Sequence, residues 1–155
     1  LVDGVFQEYF NIRIRQDLGK IVEPKSLETH HLDPTVGVSI LEAYRQFTFL
    51  LDRYINKYDS DDKLHICGYN ARFDVDFLRQ FFLDNHNRFY ASYFWHPPID
   101  VMSLAGEKLA PVRHKLKNFK LATVCEFMGI PLDSAHEALA DILATHQLYE
   151  KLKEI

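Results

Sequence analysis

The chain has 155 residues, 47% of them hydrophobic, 14% aromatic and 26% charged, with a formal net charge of −4. That length suits one domain with one core, and the acidic balance argues against a protein that grips long duplex electrostatically while leaving room for an enzyme that handles one strand end. No apolar run approaches the roughly 20 residues of a membrane helix, no cleavable signal pattern opens the chain, and Cys67 and Cys125 form no CxxC pair, which points to buried free thiols in a reducing, cytoplasmic setting rather than a zinc site.

Asp3-Gly4 between apolar residues predicts a hairpin turn, followed by a strand over 5–15. Only Leu1 and Val2 of the partner strand precede the turn, so the chain is expected to be the remainder of a longer protein. Residues 20–37 are irregular, with Pro24, Pro34 and Gly37 as breakers, and His30-His31 reads as a solvated loop. Ser39-Ile40-Leu41-Glu42 is a capping box. It opens a helix to about residue 58, with a stripe of Ile40, Leu41, Tyr44, Phe47, Leu51, Tyr54, Ile55 and Tyr58. Asp59-Ser60-Asp61-Asp62 ends it in a polar loop without the spacing of a calcium site.

A short strand over 64–69 then gives way, through residues 70–73, to a helix starting near Asp74 that buries Val75, Phe77, Leu78, Phe81 and Phe82. Residues 90–95 read as an aromatic strand ended by Pro97-Pro98. Ile99-Asp100-Val101 leads into a short helix over 102–109. Asn118 is a candidate cap for a helix to Met128, stopped by Gly129 and Pro131. The last helix follows Asp133-Ser134, with Leu139, Ile142, Leu143, His146, Leu148, Tyr149 and Leu152 facing inward or partly inward. Strands alternating with helices and then helices alone predict an α/β layered domain with a mixed sheet.

Asp74 stands where a strand hands over to a helix, the place where sites collect in open α/β sheets. Taken alone it is an ordinary helix N-terminal Asp, and Asn70 an ordinary turn residue. Asp141 lies inside an alanine-rich helix, where an Asp has poor propensity and no cap role. His136 precedes it by five residues, a turn of about 140° in a continuous helix, so the two would not share a face. His136 therefore belongs in the loop or first turn, where Ser134 and Glu137 form a possible capping box. Carboxylates brought together across a fold hold hard cations, and an imidazole takes a proton at neutral pH. Metal-assisted phosphodiester hydrolysis needs that combination. Arg113, His114, Lys115, Lys117 and Lys120 form the one basic cluster, which reads equally as a solvated face or a phosphate-contact patch. Tyr69 and Phe73 could stack on terminal bases, with core packing the plainer reading for Phe73.

Asn70-Ala71-Arg72-Phe73-Asp74 followed by Phe77-Leu78, and His136 with Asp141 at His-x-x-x-x-Asp spacing, resemble the second and third motifs of the DEDDh 3′–5′ exonucleases. That superfamily includes the proofreading subunit of bacterial replicative polymerases. Residues 116–130 and Ile99-Asp100 resemble the segments between those motifs, so the resemblance runs from about Val5 onward. It implies an RNase H-like exonuclease fold: a mixed central sheet flanked by helices, as a single domain over 1–155 with its N-terminal strand or strands missing. It also implies that Asp74 and Asp141 hold two Mg²⁺ or Mn²⁺ ions, that His136 takes the proton of the attacking water, and that Asn70 lies beside the substrate. The expected product is a nucleoside 5′-monophosphate from the 3′ end of a single strand, with a DNA polymerase as a possible partner and no membrane.

The family's first motif, Asp-x-Glu, is absent, and neither Asp3 nor Glu8 is placed to replace it. The chain by itself is thus expected to show little or no activity. Two alternatives stay open: an RNA or oligoribonucleotide exonuclease, separated only by contacts to the 2′-OH, and a non-catalytic domain that binds nucleic acid or a polymerase. The missing motif favours the second; the presence of His136, Asp141 and Asp74 together argues against it.

Overall fold

The computed structural model describes residues 7–16, 33–132 and 138–155. The Asp3-Gly4 turn, His30-His31, the Ser134–Glu137 capping box and His136 lie outside them.

Helix α1 (Ile40–Leu51) begins where Ser39 Oγ accepts from Glu42 N at 3.2 Å. The Glu42 carboxylate reaches forward to Gln46 Nε2 at 2.7 Å. The helix is shorter than its apolar stripe. After Leu51 the chain tightens into three-residue turns, with Arg53 N on Leu50 O and Tyr54 N on Leu51 O. Ile55 still turns inward and is buried, whereas Tyr58 is exposed and so is Leu41 at the other end.

Strands β1 (Cys67–Gly68) and β2 (Ile99–Asp100) pair in parallel, with Gly68 opposite Asp100. Upstream, Leu64 bridges Phe94, and Leu64 N donates to Tyr93 O at 2.9 Å. Pro97 and Pro98 fall between the bridge and the paired strands, and neither has an N–H to continue the ladder. The expected mixed sheet is, among the described residues, this two-stranded parallel pair.

The expected strand over 90–95 is instead a 3-10 turn (Tyr90–Ser92). Its aromatic residues fall at 90, 93, 94 and 95, not in alternation, and those at 90, 93 and 94 gather around one point. That point is Phe82, fully buried, with the rings of Tyr44, Tyr90 and Tyr93 edge-on at 5.3, 5.6 and 5.5 Å. Phe82→Ala should destabilise the domain by about 3–5 kcal/mol, read as a fall in the urea midpoint. A loss below about 1 kcal/mol would mean that this cluster is not core.

The described part of the expected 5–15 strand pairs only near its end. Arg15 N donates to Val38 O at 3.0 Å and Val38 N to Arg13 O at 2.9 Å. Tyr9 and Ile14 remain exposed. Gly37 lies against this crossing at φ 135°, where a Cβ would collide with the Arg13 carbonyl.

Helix α2 (Ala71–Asp84) starts three residues before the expected Asp74. It buries Val75 and Phe82 but leaves Phe77 64% exposed, against expectation. Helix α3 (Val101–Lys108) is capped by Asp100 and leads into a 3-10 turn (Ala110–Lys115). Asn118 does not cap helix α4 (Leu121–Phe127) directly; its Oδ1 accepts from Lys120 N and Thr123 Oγ1 and shapes the turn ahead of it. Gly129, at φ 65°, stops α4 as expected.

Helix α5 (Ala138–Lys153) turns Ala144, Thr145, Leu148 and Leu152 inward. Leu139, Ile142 and Leu143, expected to face inward or partly inward, are exposed. They flank, with Phe10 and His146, a groove of about 290 Å³ between α5 and the residue 8–11 segment. The core under α3, α4 and α5 centres on Val101, Ala105, Val124, Cys125 and Leu148, all closed to solvent or nearly so. Cys125 is buried there, while Cys67, expected to be buried, is exposed; both thiols are free. No helix among the described residues is long and apolar enough to cross a membrane.

Candidate metal and nucleic-acid site

The site is built at the carboxyl end of β1. Gly68 ends the strand, and a Cβ there would lie 3.2 Å from Asp74 Oδ2 and 3.5 Å from the Ala71 Cα. The absence of a side chain lets the first turn of α2 close over the strand. Asn70 makes the corner in the left-handed region, at φ 64° and ψ 46°, and its side chain makes no capping hydrogen bond. Asparagine tolerates that conformation better than most residues.

Asp74 follows in the first turn of α2. Its side chain opens to solvent, yet protein crowded around the carboxylate raises its pKa above the usual carboxylate value. A backbone N–H opposes that shift and the negative charge of Asp100 adds to it. A bound cation would favour the ionised form against both the burial and the like charge.

Asp141 stands one turn into the described part of α5, half-buried, with its backbone carbonyl accepting from Thr145 Oγ1 at 2.7 Å. Its charge reaches Cys125, whose thiol is pushed up mainly by burial and then by Asp141. Helices α2 and α5 both pack against β1, so the two carboxylates ride on elements flanking one strand.

Tyr69 is tied down. Its ring packs against the α3–α5 core, its hydroxyl donates to Phe119 O at 2.7 Å, and burial pushes the phenol up to about 12. Phe73, for which core packing is the plainer expectation, is 59% exposed, and its ring pairs with that of exposed Phe77 at 4.7 Å between centroids. The guanidinium of Arg113 sits 4.1 Å over the Phe119 ring. Phe119 thereby links the basic cluster to Tyr69 and the end of β1. Lys115 is exposed at the end of the same 3-10 turn. His136 lies outside the described residues.

The residue that sequence reasoning passed over is Asp100. It reads as part of a strand-to-helix junction, where an Asp is itself a visible N-cap signal. The signal does not reveal that Asp100 Oδ1 also accepts from Asn70 N at 3.0 Å, across the sheet.

Carboxylate oxygens are the donors that Mg²⁺ or Mn²⁺ takes, so Asp74 and Asp141 fit a hard divalent cation as part of a ligand set. Among the described residues no group of three or more His, Cys, Asp or Glu side chains is gathered for a metal.

Strand, corner, helix and the flanking α5 belong to a fold shared with a solved exonuclease structure. The chain matches the solved structure of exonuclease I, described as suggesting how processivity is achieved, with a TM-score of 0.66 and 22% identity over 87% of this chain. It spans 30% of that protein's length. No family model and no curated protein matches the sequence.

Proposed function

We propose that this domain belongs to a metal-dependent 3′–5′ exonuclease of the DEDDh type, releasing nucleoside 5′-monophosphates from DNA 3′ ends as a proofreading subunit does. The observation that carries the reading is the exonuclease I fold, together with Asp74 and Asp141 on the two helices that flank β1.

In this reading Asp74 and Asp141 hold Mg²⁺ or Mn²⁺. When bound, the ions supply charge neutralisation at the scissile phosphate and a more acidic attacking water. His136 accepts the proton of that water. Asn70 contacts the terminal nucleotide from the corner of the turn, and the exposed Phe73 ring stacks on a base. Arg113 and Lys115 meet phosphates of the incoming strand. Tyr69 acts at one remove, by holding Phe119 under the Arg113 guanidinium.

The chain contains no Asp-x-Glu sequence. Two carboxylates fill only part of the shells of two ions, so the 155-residue chain alone is expected to turn over little or no substrate. The test therefore uses the natural protein that carries this domain. Labelled single strands of DNA and of RNA are incubated with Mg²⁺, with Mn²⁺ and with EDTA. Release of 5′-mononucleotides from the 3′ end, lost in EDTA, is the expected result. A preference for RNA would move the substrate to the oligoribonucleotide alternative, and binding without any release would leave a non-catalytic domain.

Lys115→Ala should weaken single-strand binding about equally for all sequences. It should also lower the slope of log affinity against log salt by about 0.7. Titration of a fluorescent oligonucleotide at several salt concentrations measures this. An unchanged slope removes Lys115 from the phosphates.

A further inference from the structure

We infer that Asp100 is a positioning residue for the proposed site: its carboxylate holds the Asn70 corner and thereby sets where the first turn of α2 presents Asn70 and Asp74. The inference rests on the exonuclease reading for its activity arm, and on geometry alone for the rest.

The parallel register puts Asp100 opposite Gly68, at the same edge of the sheet as the corner. One oxygen, Oδ1, accepts from two backbone N–H groups, Asn70 N at 3.0 Å and Met102 N at 3.0 Å. The other, Oδ2, accepts from Ser103 Oγ at 3.0 Å. The carboxylate thus caps α3 and, with the same oxygen, pins the start of α2, thirty residues away in sequence. Hydrogen bonds to an ionised acceptor are stronger than neutral ones.

The pin matters because of what it holds. Asn70 sits in the left-handed region, which L residues seldom adopt and which surrounding structure must enforce. Its own side chain makes no cap bond that would do so. Gly68 leaves no side chain between the strand end and Asp74, so the spacing there depends on the corner itself. Without the Asp100 acceptor the corner is free to relax, and the Asp74 carboxylate moves with it. A carboxylate serving only as the α3 cap would have no such effect on Asn70.

The test compares three variants of the natural protein, two at this site and one control. Asp100→Ala removes every acceptor. Asp100→Asn keeps an Oδ1 for Asn70 N and Met102 N. Ser39→Ala removes the cap of α1, away from the site, and serves as a control for lost helix capping. In Asp100→Ala the Asn70 amide should exchange with solvent roughly 10-fold faster or more, and kcat should fall about 10–100-fold with KM changed less than about twofold. Asp100→Asn should restore kcat to within about threefold of wild type. Ser39→Ala should lower Tm and leave kcat unchanged. An unaltered Asn70 amide in Asp100→Ala overturns the inference. So does failure of Asp100→Asn to restore kcat, or a loss in Ser39→Ala equal to that in Asp100→Ala. Should Asp100→Ala not fold, Asp100→Ser decides: its shorter hydroxyl still caps α3 but no longer reaches Asn70 N, so the Asn70 amide should exchange faster, and an unaltered amide overturns the inference. The amide readout needs no substrate, so absence of nuclease activity in the wild-type protein would fail the exonuclease reading without touching this one.

Discussion

Asp74→Asn is expected to lower kcat by about 10³-fold and, in the same protein freed of metal, to raise Tm at pH 7. The first effect follows from the proposed role. Removing a ligand charge gives up several kcal/mol of the stabilisation a cation provides at a phosphate, and about 1.4 kcal/mol is a factor of ten in rate. The second follows from the direction of the pKa shift. Crowding around the carboxylate, and then the charge of Asp100, raise the Asp74 pKa in the folded protein above its unfolded value. Below the usual carboxylate range both states hold the proton and Asp74 contributes nothing to the pH dependence. As pH rises from that range through the raised value, the unfolded chain ionises first and the folded state loses ground. Asparagine cannot ionise and escapes that loss. Melts of both proteins in EDTA between pH 4 and pH 8 should therefore diverge as pH rises, the variant above. A variant that is both fully active and less stable than wild type would make Asp74 a structural carboxylate.

His136→Ala should lower kcat by about 10²–10⁴-fold with the fold intact, the range for loss of a general base. The effect should also be non-additive with Asp141→Asn, because groups acting on one water fail together. Single-turnover rates for both single variants and the double variant measure it. Unchanged turnover in His136→Ala would remove the imidazole from the mechanism. This prediction rests on the family resemblance that His136 and Asp141 carry in the sequence, since His136 lies outside the described residues.

Helices α1 and α4 announce themselves by their ends. Ser39 bonds Glu42 N as its position predicts, and Gly129 takes the left-handed conformation that closes α4. Those signals are legible because capping and chain reversal depend on neighbours within about four residues. The aromatic stretch at 90–95 misleads for the opposite reason. β propensity describes fit to a half-buried surface, and here the surface is one ring, Phe82, around which the chain coils. Phe77, Leu139, Ile142 and Leu143 mislead likewise: an apolar residue at helical spacing indicates a face, but not whether another element covers it.

The candidate site divides in the same way. Residue order along the chain placed Asp74 at a strand-to-helix junction and showed the Arg113–Lys115 cluster, while the resemblance of two short motifs to a known family singled out Asn70, Asp74 and Asp141 as site residues. Such readings rest on local order, on what chemistry each side chain can do, and on motif resemblance. Only the folded chain decides that Gly68 lets Asp74 close over the strand, that Phe73 faces solvent beside Phe77, and that Tyr69 and Arg113 meet at Phe119. It alone joins Asp100 to Asn70. Each of those contacts spans the fold or depends on what is left uncovered. Parallel strand pairing carries the Asp100–Asn70 contact across thirty residues, a separation over which local propensity holds no information.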